Sequence, residues 1–299
     1  MASSPLTELL GCPAPAKLNL FLHIIGRRAD GYHLLQSVFQ LINRGDSLDF
    51  FLKQDGCIQR LNEVPGVAEQ DDLVIRAARL LQNHAKVTAG VSIRLHKNLP
   101  MGGGLGGGSS DAATTLMALN RLWNCGLSQA ELMELGLQLG ADVPFFIFGK
   151  NAFVEGIGEV MQEVSCPERW FVVLEPGVHI ATPTIFSAKE LTRDTKPVRI
   201  ADFSKANKIV WKNDLQAVAC ALHQPVQDAI NWLNQFKADQ KIEADEARMT
   251  GSGSCVFIAV STESDAKKIQ ENVPDTWNSW TAKTLQQHPF LSHKNGNAE

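Results

Sequence analysis

The chain has 299 residues, 44% hydrophobic and 20% charged, with a formal net charge of −4. That composition fits a packed globular protein of one large or two ordinary domains. The slight acidity and the lack of basic blocks exclude an electrostatic nucleic-acid footprint, and no apolar run approaches the roughly 20 residues that span a bilayer. Met1 to Pro15 lacks a basic stretch followed by an apolar core, so no export signal is expected. The six cysteines are scattered and form no C-x-x-C. They read as reduced thiols in a cytoplasmic protein rather than as metal ligands or a disulfide framework.

In chain order, residues 16–25 alternate. Leu18, Leu20, Leu22 and Ile24 share one face of a strand, and Lys17, Asn19, Phe21 and His23 share the other. Asp30-Gly31-Tyr32-His33 is a turn signal with the chain's only tyrosine. Strands are predicted over 34–43 and 47–52, joined by an Asn43-Arg44-Gly45-Asp46 turn. A helix follows over 71–85 with Asp71 or Asp72 as cap. Val91, Ile93 and Leu95 then mark a strand.

Residues 99–113 read Leu-Pro-Met-Gly-Gly-Gly-Leu-Gly-Gly-Gly-Ser-Ser-Asp-Ala-Ala. Ala112, Leu116, Leu119 and Trp123 place a helix directly after the glycines, with Ser109 or Ser110 as its cap. Ser128 and Glu131 have capping-box spacing for a second helix ending near Gly140. Gly140 to Phe148 reads as a turn feeding an apolar strand. Beyond it we predict a strand at 170–174, helices at 183–191, 226–236 and 264–271, a strand after the Gly-Ser loop at 249–255, and a last strand at 279–285. The domain boundary is expected near 150–165, giving domains 1–155 and 156–299. The polar tail from Gln286 is expected to fray. The first dozen residues carry no assigned role.

Six glycines within residues 102–108, ahead of a helix N-terminus, point to a nucleotide-phosphate site. Glycine lets a ligand approach the main chain, and the open N–H groups favour an anion. A P-loop requires a lysine before the hydroxyl residue, and Ser109-Ser110 has none. Gly102, Gly104 and Gly107 formally fit G-x-G-x-x-G. A dinucleotide fold would continue into a strand ending in an acid, whereas this chain runs helix into helix. Protein-kinase signatures are missing too. Asp142, beside a long apolar run, reads as a paired or functional carboxylate, with Lys17 a suitable partner.

Three segments, Pro-Ala-Lys-Leu-Asn-Leu (15–20), the glycine run (99–113) and Met-Thr-Gly-Ser-Gly-Ser-Cys (249–255), together resemble the signature motifs of the GHMP small-molecule kinases. Arg-Ala-Asp-Gly-Tyr-His (28–33) and Gly-Ala-Asp-Val-Pro-Phe-Phe (140–146) narrow the resemblance to the branch acting on a cytidine-diphosphate-linked methylerythritol. It spans about residues 14–285. The resemblance implies a two-domain α/β and α+β fold, an N-terminal nucleotide-binding domain and a C-terminal α+β domain with the active site in the cleft between them. It implies transfer of phosphate from ATP, with Mg²⁺, to the acceptor's 2-hydroxyl, in the non-mevalonate route to isoprenoid precursors.

The motifs put Asp142 as general base and Lys17 as its partner. They put ATP on Pro100, Met101, Gly102, Gly103, Gly104, Leu105, Gly106, Gly107, Gly108, Ser109, Ser110 and Lys97, with Ser109 or Ser110 near the metal. Asn19, Tyr32, His33, Thr182, Phe186, Gly251, Ser252 and Gly253 fall on the acceptor side, with Tyr32 and Phe186 as the two faces of a cytosine sandwich. One position departs. Where relatives often carry asparagine before the leucine opening the adenine-side helix, this chain has Asp72-Leu73. The expected partners are small molecules, with no nucleic acid or membrane, and the expected assembly is a monomer or weak homodimer. A kinase of the same superfamily acting on mevalonate, homoserine or a sugar is the first alternative. A ligand sensor that kept the fold and lost catalysis is the second.

Overall fold

The computed structural model describes residues 6–204 and 211–292. Two long antiparallel strands, β1 (Glu8–Arg27) and β2 (His33–Lys53), run the height of the molecule. β1 begins well before residue 16, and Glu8 to Cys12 pair with Phe51 to Leu48. The predicted turn at 43–46 is absent, and β2 passes straight through it with shifts in register against β1. Gly45 permits the crossing, since a Cβ there would stand 2.3 Å from the Ala14 carbonyl oxygen.

β2 is the hub of the first sheet. Its C-terminal half pairs with β4 (Gly90–His96), which carries the short parallel β3 (Ile58–Arg60). Its N-terminal half pairs with β5 (Ala152–Gly156), which carries β6 (Val160–Glu163). Four helices cover this sheet: α1 (Leu73–Ala85), α2 (Gly107–Leu122), α3 (Gln129–Leu139) and α4 (Val143–Phe148). Asp72 caps α1 by accepting from the Val74 amide. Ser128 and Glu131 complete the capping box of α3.

Two expectations change here. Residues 143–148 form a helix, not a strand. An apolar run has no usable period, so its pattern does not separate a buried strand from a helix buried all round. Pro144 in the first turn and Gly149 at φ +69° as C-cap supply the ends. Neither serine caps α2, which starts inside the glycines at Gly107 with Gly106 as N-cap and no side-chain cap.

The second sheet is antiparallel, in the order β10 (Asn278–Lys283), β7 (Trp170–Glu175), β9 (Val256–Val260), β8 (Arg248–Met249). Around it lie α5 (Thr182–Ser187), α7 (Gln216–Leu222), α8 (Gln224–Asp239) and α9 (Glu263–Gln270), whereas α6 (Ile200–Ser204) packs Ile200 and Phe203 with Phe21, Val38 and Phe153 of the first sheet. A separate apolar cluster joins the two sheets: Ala16, Leu18 and Ile42 meet Leu99 and Leu105 from the glycine segment and Phe171, Val173 and Phe257 from the second sheet.

The tail is docked as far as Ser292. The Lys150–Gln287 bridge, the Leu285 amide donating to the Leu41 carbonyl, and α10 (Pro289–Ser292) with Phe290 buried tie it to the first sheet. Residues 293–299, the rest of the tail expected to fray, lie outside the described residues. No helix among the described residues is long and apolar enough to cross a membrane.

Candidate active site

A cleft of about 1130 Å³ lies where β1, β2, the glycine loop, α4, α5 and the 250–254 loop converge. Lys17 and Asn19 reach it from β1, and Asp142 reaches it from the N-cap position of α4. Lys17 Nζ is 3.7 Å from Asp142 Oδ2. It also donates to Asn19 Oδ1 and sits 4.8 Å above the centre of the Phe39 ring. The lysine is buried and the aspartate side chain is 34% exposed, so the carboxylate is the member open to the cleft. Burial pulls the Lys17 pKa below the usual lysine range, opposed by Asp142.

Asn19 is held on three sides. Its amide donates to Thr250 Oγ1 at 3.0 Å, its Nδ2 donates to Ser37 Oγ at 2.9 Å, and its Oδ1 receives Lys17. Thr250 stands in the 249–255 motif, but its bond to Asn19, like that of Ser37, is not legible in the sequence. Their partners are 231 and 18 residues away, and no local pattern marks such contacts.

The glycine loop is positioned by strand β1, where the Lys17 amide donates to the Leu105 carbonyl at 2.9 Å. Several of its glycines are there for other parts of the chain. A Cβ on Gly104 (φ +76°) would lie 2.1 Å from the Thr250 carbonyl oxygen, and one on Gly103 would lie 2.6 Å from Cys255 Sγ. The two glycine loops therefore touch through bare backbone, and the run's density reflects loop-on-loop packing as well as ligand approach. With no side chain capping α2, its first-turn N–H groups stay available, the electropositive helix end that attracts phosphate.

Of the residues expected to contact ATP, Gly102, Gly104 and Gly106 line the cleft. Pro100, Met101, Gly103, Leu105, Gly107, Gly108, Ser109 and Ser110 do not border this cavity, and neither does Lys97. Of the two serines expected near the metal, Ser110 is fully buried and donates to the Pro15 carbonyl at 2.7 Å, while Ser109 is half-buried. Lys97 is already engaged beneath the first turn of α2, 2.5 Å from Asp46 Oδ2 and 3.1 Å from Asp111 Oδ2. Burial pushes the Asp111 carboxyl up to about 8 against the pull of Lys97.

On the acceptor side, Tyr32, His33, Thr182, Phe186, Gly251, Ser252 and Gly253 line the same cleft. Thr182 and Ser252 share a 2.7 Å hydroxyl contact, which ties α5 to the second glycine loop. Asn213 donates to the carbonyls of Met249 and Gly251, both at 2.8 Å, and holds that loop from behind. Tyr32 is 61% exposed at the rim. The ring beside Phe186 is that of His33, 5.0 Å away and tilted by 35°. Arg27 and His179 also line the cavity. His179 packs its ring against Gly102, where a Cβ would be 2.6 Å from Nδ1. Among the described residues, no cluster of three or more histidine, cysteine or acidic side chains is arranged to hold a metal.

With this geometry in hand, the likenesses to known proteins agree. The model of the GHMP kinases N terminal domain matches residues 72–150, and that of the GHMP kinases C terminal matches 189–279. The 4-diphosphocytidyl-2-C-methyl-D-erythritol kinase of Herminiimonas arsenicoxydans is 61% identical over 285 residues, covering 94% of this chain and 97% of the relative. The enzyme of the same name from Janthinobacterium sp. (strain Marseille) is also 61% identical over 285 residues, covering 93% and 96%. A crystal structure of 4-(cytidine 5'-diphospho)-2C-methyl-D-erythritol kinase superposes with a TM-score of 0.76 at 28% identity, covering 93% of this chain and 98% of that one. The chain belongs to the 4-diphosphocytidyl-2-C-methyl-D-erythritol kinase family of the GHMP kinases.

Proposed function

We propose that the chain transfers the γ-phosphate of ATP to the 2-hydroxyl of 4-diphosphocytidyl-2-C-methyl-D-erythritol, giving the 2-phosphate and ADP for isoprenoid precursor synthesis. The observation that carries this reading is the Lys17–Asp142 pair, 3.7 Å apart, opening into the cleft that also receives the glycine loop and the Tyr32–His33 turn.

Phosphoryl transfer needs donor and acceptor in line and the spreading negative charge neutralised. The glycine loop and the uncapped start of α2 hold the ATP phosphates through N–H groups. Asp142 accepts a hydrogen bond from the acceptor hydroxyl and takes its proton. Such general-base action is worth roughly 10²–10⁴ in rate. Lys17, desolvated and fixed by Asn19, supplies positive charge beside the carboxylate and stabilises the alkoxide. Tyr32, His33 and Phe186 select the cytidine end.

Magnesium suits this donor set, since it keeps few protein ligands and several waters. The Ser109 hydroxyl and the ATP oxygens would hold it, and it would neutralise phosphate charge. Residues 1–155 serve as the nucleotide-binding domain in this reading and 156–299 as the second domain. The protein works in the cytoplasm as a monomer or weak homodimer.

A coupled ADP-release assay tests the proposal. ADP should appear with the cytidyl acceptor and Mg²⁺ and not with mevalonate, homoserine or galactose. Turnover of one of those three in its place would reassign the substrate. Silence with all four would favour a sensor.

A further inference from the structure

We infer that Arg193 is a positioning residue for the acceptor site. By donating to Nε2 of His33 it fixes the imidazole as its Nδ1–H tautomer, so the cleft offers a hydrogen-bond donor to an acceptor atom on the pyrimidine edge. The pyrimidine part of this inference rests on the function proposed above, while the tautomer does not.

The guanidinium of Arg193 is spread over four partners. Nε lies 3.1 Å from His33 Nε2, 160 residues away in sequence. Nη1 donates to the Leu191 carbonyl at 3.0 Å, and Nη2 donates to the carbonyls of Phe186 at 3.2 Å and Ala188 at 2.7 Å. One planar fork thus binds the carbonyls at and beyond the end of α5, which carries Phe186, and joins them to the head of β2, which carries His33. The 5.0 Å spacing of the His33 and Phe186 rings is the product of that bracing.

An arginine has only donors and does not lose its proton, so the nitrogen it meets has to present a lone pair. Nε2 is therefore unprotonated, and a neutral imidazole then carries its proton on Nδ1. The imidazolium form is disfavoured as well, because it has no lone pair for Arg193. Burial, Arg193 and Arg27 together pull the His33 pKa below the ordinary histidine value. Asp30, paired with Arg28 and on the same turn, is the acidic group bordering this part of the cleft. Lysine does not replace the fork, since its ammonium is a compact donor without the planar spread that reaches imidazole and carbonyls together.

Long-range ¹⁵N–¹H correlation spectra of protein labelled with ¹⁵N-histidine test this in the free enzyme, with His33 assigned by loss of its signals in a His33→Gln variant. The wild type should show His33 protonated at Nδ1 and bare at Nε2 near neutral pH. An Nε2–H tautomer would overturn the inference, whatever the substrate. In turnover assays, Arg193→Gln and Arg193→Lys should each raise the acceptor KM about tenfold while leaving the ATP KM near wild type. Equal rises in both KM values would show general loosening and contradict a positioning role. If the wild type releases no ADP with the cytidyl acceptor, the functional reading fails and the tautomer result stands apart from it.

Discussion

Lys17 Nζ lies 3.7 Å from Asp142 Oδ2, and the two side chains differ sharply in burial, 4% against 34% exposed. A buried cation facing a half-open carboxylate places positive charge beside it while leaving one side free for a hydroxyl. Asp142→Asn should therefore lower kcat by about 10²–10⁴ with only a small change in melting temperature, since the side chain is not packed away. Steady-state kinetics alongside thermal melts check this, and a turnover within tenfold of wild type would remove Asp142 from the chemistry.

Gly104 is the point at which the two glycine loops meet. Alanine there puts Cβ on the Thr250 carbonyl and forces φ +76° on a residue that disfavours it. The backbone cost alone is about 1–2 kcal/mol. Gly104→Ala should weaken nucleotide and acceptor together, because Thr250 also holds Asn19. Gly108→Ala, whose added Cβ would make only an ordinary 3.5 Å contact with Leu73, should be mild by comparison. Equal effects of the two substitutions on both KM values would dismiss loop-on-loop packing as the reason for the glycines.

The Asp72 departure noted in the sequence has a structural counterpart. Asp72 pairs with Arg60, both side chains 7% exposed, while its other oxygen caps α1. Removing one member of a buried pair strands the other, at roughly 3–5 kcal/mol. Urea unfolding should show Arg60→Met to be destabilised by about that amount, and Asp72→Asn, which keeps a capping oxygen, by less. The reverse order would mean that the cap outweighs the pair.

His288 makes stability depend on pH. It is fully buried, Nδ1 accepts from the Phe290 amide at 3.2 Å, and burial pulls its pKa from 6.5 to about 3. Between those values the unfolded chain binds a proton that the folded chain refuses. Stability contributed by the neutral ring is therefore complete above pH 6.5 and is lost as pH falls toward 3, at up to about 1.4 kcal/mol per pH unit. His288→Gln should flatten this slope in urea titrations at pH 4 to 7. Parallel slopes for wild type and variant would contradict the assignment.

Much of this architecture was legible in local pattern. The period-2 runs of β1 and β4, the cap at Asp72 and the Ser128–Glu131 box each rest on neighbours in sequence, and each formed where local chemistry put it. The failures share a cause. Residues 43–46 carry turn chemistry, yet pairing with β1 overrides it, and Val143–Phe148 is apolar on every face, which erases the period. In the site, Lys17, Asn19 and Asp142 stood out as polar groups in apolar settings. Ser110 and Lys97 stood in the glycine-loop segment, and their bonds to the Pro15 carbonyl, Asp46 and Asp111 were not legible there. Those partners, like Thr250 under Asn19 and Arg193 beside His33, come from distant segments that only the fold brings together.

The most direct test of the central claim is a crystal structure with the cytidyl acceptor and a non-hydrolysable ATP analogue bound together. The account predicts the acceptor's 2-hydroxyl at roughly 2.6–3.2 Å from an Asp142 carboxylate oxygen, facing the γ-phosphate held over the start of α2. An acceptor whose hydroxyl is turned away from Asp142, or a nucleotide seated elsewhere than the glycine loop, would contradict it.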